Sequence, residues 1–140
     1  MNELEDQVRV LLQLVARVGA PLTARDGLWA TPFRPAGRKH TKPWAVAADV
    51  HTLCLVVLAD DGEAGRFPLA GSTLLDAGTV LAETVWAHVG VELAVESLVV
   101  PDAQPPETEG DFRFGGLDPA ALRAFALHLD AAQVAAWVAR

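Results

Sequence analysis

The sequence predicts a single α+β domain spanning residues 1–140, with a mostly antiparallel sheet of four to six strands. Helices are expected at the N-terminus, between strands and at the C-terminus. Short apolar runs joined by turn residues fill the first half of the chain, as in antiparallel hairpins. Apolar residues at helical spacing lie before, between and after those runs. The length of 140 residues suits one hydrophobic core rather than two.

The first helix follows Asn2, which forms an approximate capping box with Glu5, and it ends at Gly19 and Pro21. Its apolar positions alternate in steps of four and three, and two further leucines widen the stripe: Leu4, Val8, Leu11, Val15, Val18, Leu12 and Leu14. We expect this face to dock on the domain's own sheet, with pairing to a second subunit as the alternative.

Four strands are predicted after this helix, at residues 28–33, 44–50, 52–59 and 66–69. The third run is continuously apolar, which is typical of a central strand buried on both faces. An Asp-Asp-Gly turn follows it at residues 60–62 and favours a hairpin to the next strand.

The second helix is predicted over residues 72–88, with Gly90 as its C-terminal stop. Residues 91–100 alternate between apolar and polar and then become wholly apolar, which predicts a further strand ended by Pro101. The segment 101–111 is rich in proline and acidic residues, and we expect it to be a mobile surface loop.

The C-terminal part begins with a possible short strand at residues 112–114. Asp118 as N-cap, with Pro119 at the first helical position, opens a helix. Asp130 repeats the cap signature, so a break or kink is predicted there.

The chain is acidic, with a formal net charge of −7 and a pI near 4.9, which opposes nucleic-acid phosphates over most of the surface. Cys54 is the only cysteine, so no internal disulfide forms, as suits a reducing cytoplasm. The first residues do not resemble a secretory signal, and no apolar run reaches the roughly 20 residues of a membrane span. We expect a cytoplasmic protein without a membrane partner.

A basic loop near residues 34–43 is the sharpest local feature of the sequence. Cations beside aromatic rings are typical of grooves that bind single-stranded nucleic acids. Because the cluster reaches few phosphates, an anionic ligand is expected to bind weakly. A solvated loop is the alternative. The candidate binding residues are Arg34, Arg38, Lys39, His40, Lys42 and Trp44.

Catalytic constellations are not evident in the sequence. No histidines have the i, i+4 spacing that presents two imidazoles to one metal, and no nucleophile elbow or phosphate loop occurs. On a strand, Cys54 would point away from Asp49 and His51. We therefore predict no catalytic residues, metal site or cofactor. Convergence of Asp49, His51 and the acids of the 60–63 turn in one pocket would instead favour an enzyme.

Residues 51–93 resemble part of the Nudix hydrolase layout, in which a buried strand, an acidic turn and a helix precede a Gly-hydrophobic-Glu-hydrophobic ending. The resemblance implies a metal held by a helix reading R-E-x-x-E-E. Here the corresponding residues 83–88 read ETVWAH, which lacks the carboxylates needed to hold a divalent metal. Only a catalytically inactive relative fits this pattern.

The predicted function is a non-enzymatic protein-binding or assembly module, chaperone- or adaptor-like and homodimeric. In size, acidity and order of elements the chain is similar to the secretion-chaperone-like α+β proteins, which dimerise and hold other chains. The alternative is a degenerate Nudix-like or other nucleotide- or nucleic-acid-binding protein that uses the basic loop. Trp86 and Trp137 are expected in the core, and Trp29 and Trp44 at a rim or interface.

Overall fold

The computed structural model describes residues 3–25, 27–34, 43–59, 62–98 and 112–139. Within these ranges the chain forms one antiparallel sheet and five helices. In chain order the elements are α1 (Glu3–Val18), β1 (Thr23–Arg25), β2 (Leu28–Ala30), β3 (Trp44–Asp49), β4 (Cys54–Ala59), β5 (Gly62–Pro68), α2 (Leu74–Val89), α3 (Val95–Leu98), α4 (Pro119–His128) and α5 (Ala131–Val138). The predicted α+β class is confirmed.

The sheet is a simple meander, in which each strand pairs antiparallel with the next in the order β1-β2-β3-β4-β5. The ladder between β3 and β4 is the longest regular one and runs from Trp44 opposite Ala59 to Asp49 opposite Cys54. Because neighbouring side chains on a strand point to opposite faces, this register assigns every residue of the sheet to one of two faces.

One face of the sheet carries the helices. Both α1 and α2 pack on it, with α1 against β3 and α2 against β4 and β5. The main hydrophobic core fills the space between, and its sheet residues include Trp44, Val46, Ala48, Leu55 and Val57. The other face has a smaller cluster, which includes Leu28, Ala45, Ala47 and Leu58.

Helix α1 lies between the sheet and α5, which explains its unusually wide apolar stripe. Its two glutamines are also buried. Gln7 clasps the main chain of Gly115, donating from Nε2 to the carbonyl (2.9 Å) and accepting the N–H at Oε1 (2.8 Å). Gln13 donates from Nε2 to the carbonyl of Trp137 (3.0 Å). The expected docking of this helix on the domain's own sheet is confirmed.

Helix α2 begins and ends with strong local signals. Thr73 and Asp76 form a complete capping box, in which each side chain accepts the other residue's backbone N–H. Gly90 ends the helix in the left-handed conformation, at φ 77°, and its N–H donates to the carbonyls of Val85 and Trp86.

Two predicted strands are wrong. In the described part of segment 91–100, the only regular element is the short helix α3, and its Leu98 packs into the helical layer beside α1 and α2. Residues 112–114 are irregular as well. Phe114 exchanges backbone hydrogen bonds with Gly71 (2.8 Å) and Ser72 (2.9 Å), so this segment pairs with the loop before α2 instead of with the sheet.

The C-terminal helices follow the prediction. Asp118 caps α4 and Pro119 opens it. The chain leaves the helix at Leu129, and Asp130 then caps α5 by accepting the N–H of Gln133 at 2.8 Å.

The tryptophan predictions are largely wrong. Trp137 is buried as expected, but Trp86 is 61% exposed on α2. Trp29 and Trp44 lie in the core, where Trp44 is only 2% exposed, because both side chains point to the helix-covered face of the sheet.

Candidate binding site

Two of the sequence-predicted binding residues have structural contacts. Arg34 donates from Nη1 to the carbonyl of Val18, the last residue of α1, at 2.9 Å. Its guanidinium lies 5.7 Å from the ring of the buried Trp44, and the two residues form a backbone bridge. These contacts join the end of α1 to the sheet.

The other predicted binding residues, Arg38, Lys39, His40 and Lys42, lie outside the described residues, as does the loop at 101–111. Their anion-binding role stays a prediction.

A different site is evident on the sheet face opposite the helices. It is a cavity of about 400 Å³, which we call the sheet pocket. Cavities of this size hold small ligands or a few side chains of a partner. Its lining residues are Arg25, Gly27, Leu28, Phe33, Asp49, His51, Leu58, Ala59, Gly62, Glu63 and Arg66.

The antiparallel register brings these residues together from distant parts of the chain. Arg25 on β1 pairs with Leu28 on β2, so the two side chains share a face. Leu58 on β4 pairs with Glu63 on β5 across a register shift between Val57 and Leu58. Such irregularities bend a strand and re-aim its side chains.

The pocket has an apolar side made by Leu28, Leu58 and the half-buried Phe33. These side chains pack with Ala45 and Ala47, which are fully buried on the same face.

Arg66 organises the polar side of the pocket. It donates from Nη1 to Asp49 Oδ2 (2.6 Å), from Nη2 to Glu63 Oε1 (2.6 Å) and from Nε to Glu63 Oε2 (3.1 Å). The pair with Glu63 is bidentate, the geometry in which arginine binds a carboxylate most strongly.

The hydrogen bonds of Arg66 shift the pKa of Glu63 and the pKa of Arg66 itself. The hydrogen bond from Arg66 holds the pKa of Glu63 below its usual range, although burial opposes the shift. The hydrogen bonds to Glu63 and Asp49 raise the pKa of Arg66 well above its ordinary value. Glu63 and Arg66 are therefore both charged near neutral pH, and the single guanidinium offsets part of the negative charge of the two carboxylates.

Asp49, His51 and Glu63 do converge in one pocket, the arrangement that favours an enzyme. Their bonding differs from that of a catalytic dyad, however. Asp49 Oδ1 accepts the main-chain N–H of His51 at 3.1 Å, so the carboxylate does not orient the imidazole. Both carboxylates also face Arg66, which leaves neither as a free base. Within the described ranges, no group of three or more His, Cys, Asp or Glu residues is placed to hold a metal ion.

Arg25 is the second guanidinium of the pocket, and its environment is different. Its Cζ lies 4.6 Å from the centre of the Phe33 ring. Among the residues that the structure describes, no carboxylate is within ion-pair distance of it. Among the described residues, the pocket thus holds one guanidinium that is ion-paired with carboxylates and one that is not.

Sequence analysis missed most of this site. Strand β1 has only three residues and all are exposed, so no apolar alternation indicated that Arg25 lies in the sheet. The one usable signal was Asp49 with His51 and the acids of the following turn, which the sequence did single out.

A second surface feature lies on α2. Leu75 and Trp86 are 58% and 61% exposed, and the half-buried Thr79 and Ala82 lie between them. Their spacing of four, three and four residues places all four on one side of the helix. We call this the α2 stripe.

Comparisons with protein-family models, with curated proteins and with solved structures gave no match for this chain. In the described part of the chain, every helix is too short or too polar to cross a membrane. The Gly-hydrophobic-Glu-hydrophobic ending of the Nudix-like layout, residues 90–93, is irregular chain, and α3 follows it.

Proposed function

We propose that the protein is a non-enzymatic binding module that holds a short segment of a partner protein in the sheet pocket. The observation that carries this proposal is the composition of the pocket, with an apolar wall on one side and a saturated ion-pair network on the other. Binding sites combine mostly apolar surface with a few fixed polar groups in this way.

The state of the carboxylates supports binding over catalysis. A general base must be free to take a proton, and a metal ligand must direct its lone pairs to the ion. Asp49 and Glu63 instead direct theirs to Arg66. The network gives the pocket wall a fixed shape. Its one guanidinium balances one of the two carboxylate charges, so a single negative charge remains.

The proposed module acts as an adaptor or chaperone and forms a homodimer. Helix α1 is covered by α5, so it is not the helix that pairs with a second copy. The α2 stripe is the exposed apolar surface that supports self-association. Exposed tryptophan and leucine side chains are the kind that interfaces bury.

The experiment places a photoreactive p-benzoylphenylalanine at position 33 in the protein expressed in its own cells. We expect irradiation to join this position to a defined segment of one partner protein. The matched control carries the same residue in place of Leu127, which is 75% exposed on α4 and does not line the pocket. The control is expected not to capture that segment.

Binding of the captured segment is then measured with purified protein and a synthetic peptide. Leu58→Gln should weaken binding because it places an amide in the apolar wall. Leu127→Gln should leave binding unchanged. Capture of a nucleotide or nucleic acid at position 33, or equal binding by both variants, would refute the proposal. The first result would favour the alternative of a nucleotide- or nucleic-acid-binding protein.

A further inference from the structure

We propose that the sheet pocket recognises the C-terminal end of its partner, with Arg25 binding the terminal carboxylate and the apolar wall binding the last side chain. This inference rests on the proposed function and adds the part of the partner that is recognised.

The two guanidiniums of the pocket differ in the groups that they contact. Arg66 uses its Nε and both terminal nitrogens to bind Asp49 and Glu63. Arg25 places its Cζ over the Phe33 ring, 4.6 Å from the ring centre, and has no ion pair in the described ranges. A guanidinium without an ion pair keeps N–H donors for a ligand, and a planar carboxylate matches two of them in bidentate fashion.

The carboxylates on the opposite wall affect where an anionic ligand group can bind. A carboxylate entering the pocket also meets Asp49 and Glu63, which would repel it if they were unpaired. The 2.6 Å contacts with Arg66 reduce that repulsion, because both acids share its positive charge. Arg25 is therefore the place in the pocket where a ligand's anionic group is most strongly attracted.

The register of the sheet supports a chain end as the ligand. Arg25 and Leu28 are directly opposite each other, so the cation and the apolar wall are neighbours. Directly opposed residues on antiparallel strands have Cβ atoms about 5 Å apart. A C-terminal residue has its carboxylate and its side chain on one Cα, so a single residue reaches both. An aspartate or glutamate within a chain carries the carboxylate on its own side chain, so the apolar side chain would have to come from another residue.

The test is fluorescence anisotropy with the purified full chain and a fluorescein-labelled peptide, Gly-Ser-Gly-Ala-Val-Leu. One form ends in a free carboxylate and the other in an amide. We expect the free acid to bind at least about tenfold more tightly than the amide, the effect of one charge-assisted contact. Arg25→Gln should reduce this ratio to about one, and Arg25→Lys should restore part of it.

Arg123→Gln is the matched control, because Arg123 lies on α4 and does not line the pocket. It should keep the preference for the free acid. Urea unfolding of each variant checks that the fold is intact. Since Arg25 is exposed, we expect unfolding midpoints close to that of the wild type.

Three results would overturn the inference: equal binding of the acid and the amide, an Arg25→Gln variant that still prefers the acid, or no binding of either peptide. If both peptides bind equally and Leu58→Gln weakens both, partner binding in the pocket stands and only the carboxylate contact is wrong. If octanoate binds and the peptide acid does not, the ligand is a free aliphatic carboxylate. That result would overturn the proposed function as well.

Discussion

Arg66 determines, at the scale of a single residue, what the sheet pocket can do. It forms ion pairs with two carboxylates that would otherwise be candidates for acid–base chemistry. The sequence brought Asp49, His51 and the turn acids to attention, but their role depended on Arg66. Residues 49 and 66 become neighbours only through the register of β3, β4 and β5. Spacing along the chain cannot show such a contact.

The first residue-scale prediction concerns Arg66→Gln. The lowered pKa of Glu63 stabilises the fold fully above the usual carboxylate range, and this stabilisation is lost as the pH falls through the lowered value. The variant loses that contribution. We expect its deficit in free energy of unfolding to stay below about 1 kcal/mol, since the pair is largely exposed.

Urea unfolding of the wild type and of Arg66→Gln from about pH 7 to pH 3 measures this effect. The difference between the two proteins should be constant above about pH 5 and should shrink below it. A difference that grows as the pH falls would contradict the assignment of the lowered pKa to Arg66.

A second residue-scale prediction concerns the glutamines buried in α1. Gln7 makes two hydrogen bonds with Gly115, so Gln7→Leu leaves a donor and an acceptor of the main chain without their partner. We expect a loss of about 2 kcal/mol. Gln13→Leu should cost less, because Gln13 makes one bond and its Oε1 has no partner among the residues described. Equal losses in the free energy of unfolding, measured with urea, would argue against a stabilising role of the two hydrogen bonds between Gln7 and Gly115.

At the scale of elements, predictions succeeded where local signals determine structure. The C-terminal stop of α2 and the caps of α4 and α5 are read directly from Gly90, Asp118 and Asp130, and the central strands from their apolar runs. Predictions failed where pairing with a neighbouring strand determines the structure. Segment β1 is extended because it pairs with β2. Residues 91–94 alternate between apolar and polar as a strand does, but in the described part of the chain they have no neighbouring strand to pair with and are irregular. The α2 cap at Gly90 leads that segment onto the helical layer.

The element-scale prediction tests the capping box of α2. Thr73→Ala removes the acceptor of the Asp76 N–H and should lower the free energy of unfolding by about 1 kcal/mol. Thr79→Ala is the matched control on the same helix. Its hydroxyl donates to the carbonyl of Leu75, which is already within the helix, and alanine favours helical structure. The control should be neutral or slightly stabilising, and a larger loss there would contradict the role assigned to the cap.

The arrangement of layers determines which surfaces of the whole molecule are available. The sheet covers one side of α1 and α5 covers the other, so the apolar stripe of α1 is buried within the fold. The sheet pocket and the α2 stripe lie on different parts of the fold, since α2 packs on the face opposite the pocket. A dimer formed through the α2 stripe therefore leaves the pocket open to a partner.

The final prediction concerns the proposed homodimer. The spacing of the α2 stripe is symmetrical, with large residues at its ends and Thr79 and Ala82 at its centre. An antiparallel α2 helix of a second copy would place Leu75 opposite Trp86 and allow close approach at the centre. Asp76 and Glu83 would then lie on the same side of the contact in both copies. Because like charges repel, association should strengthen as salt is added.

Light scattering of the purified chain at about 100 μM should give twice the 14.9 kDa chain mass. Trp86→Gln should give the monomer mass at the same concentration, because an exposed tryptophan at an interface contributes strongly to association. Leu127→Gln changes an exposed apolar residue outside the stripe, and this variant should remain dimeric. A monomeric wild type would refute the homodimer, while a dimeric Trp86→Gln variant would place the interface elsewhere. Neither result would alter binding in the sheet pocket, since the two surfaces share no residue.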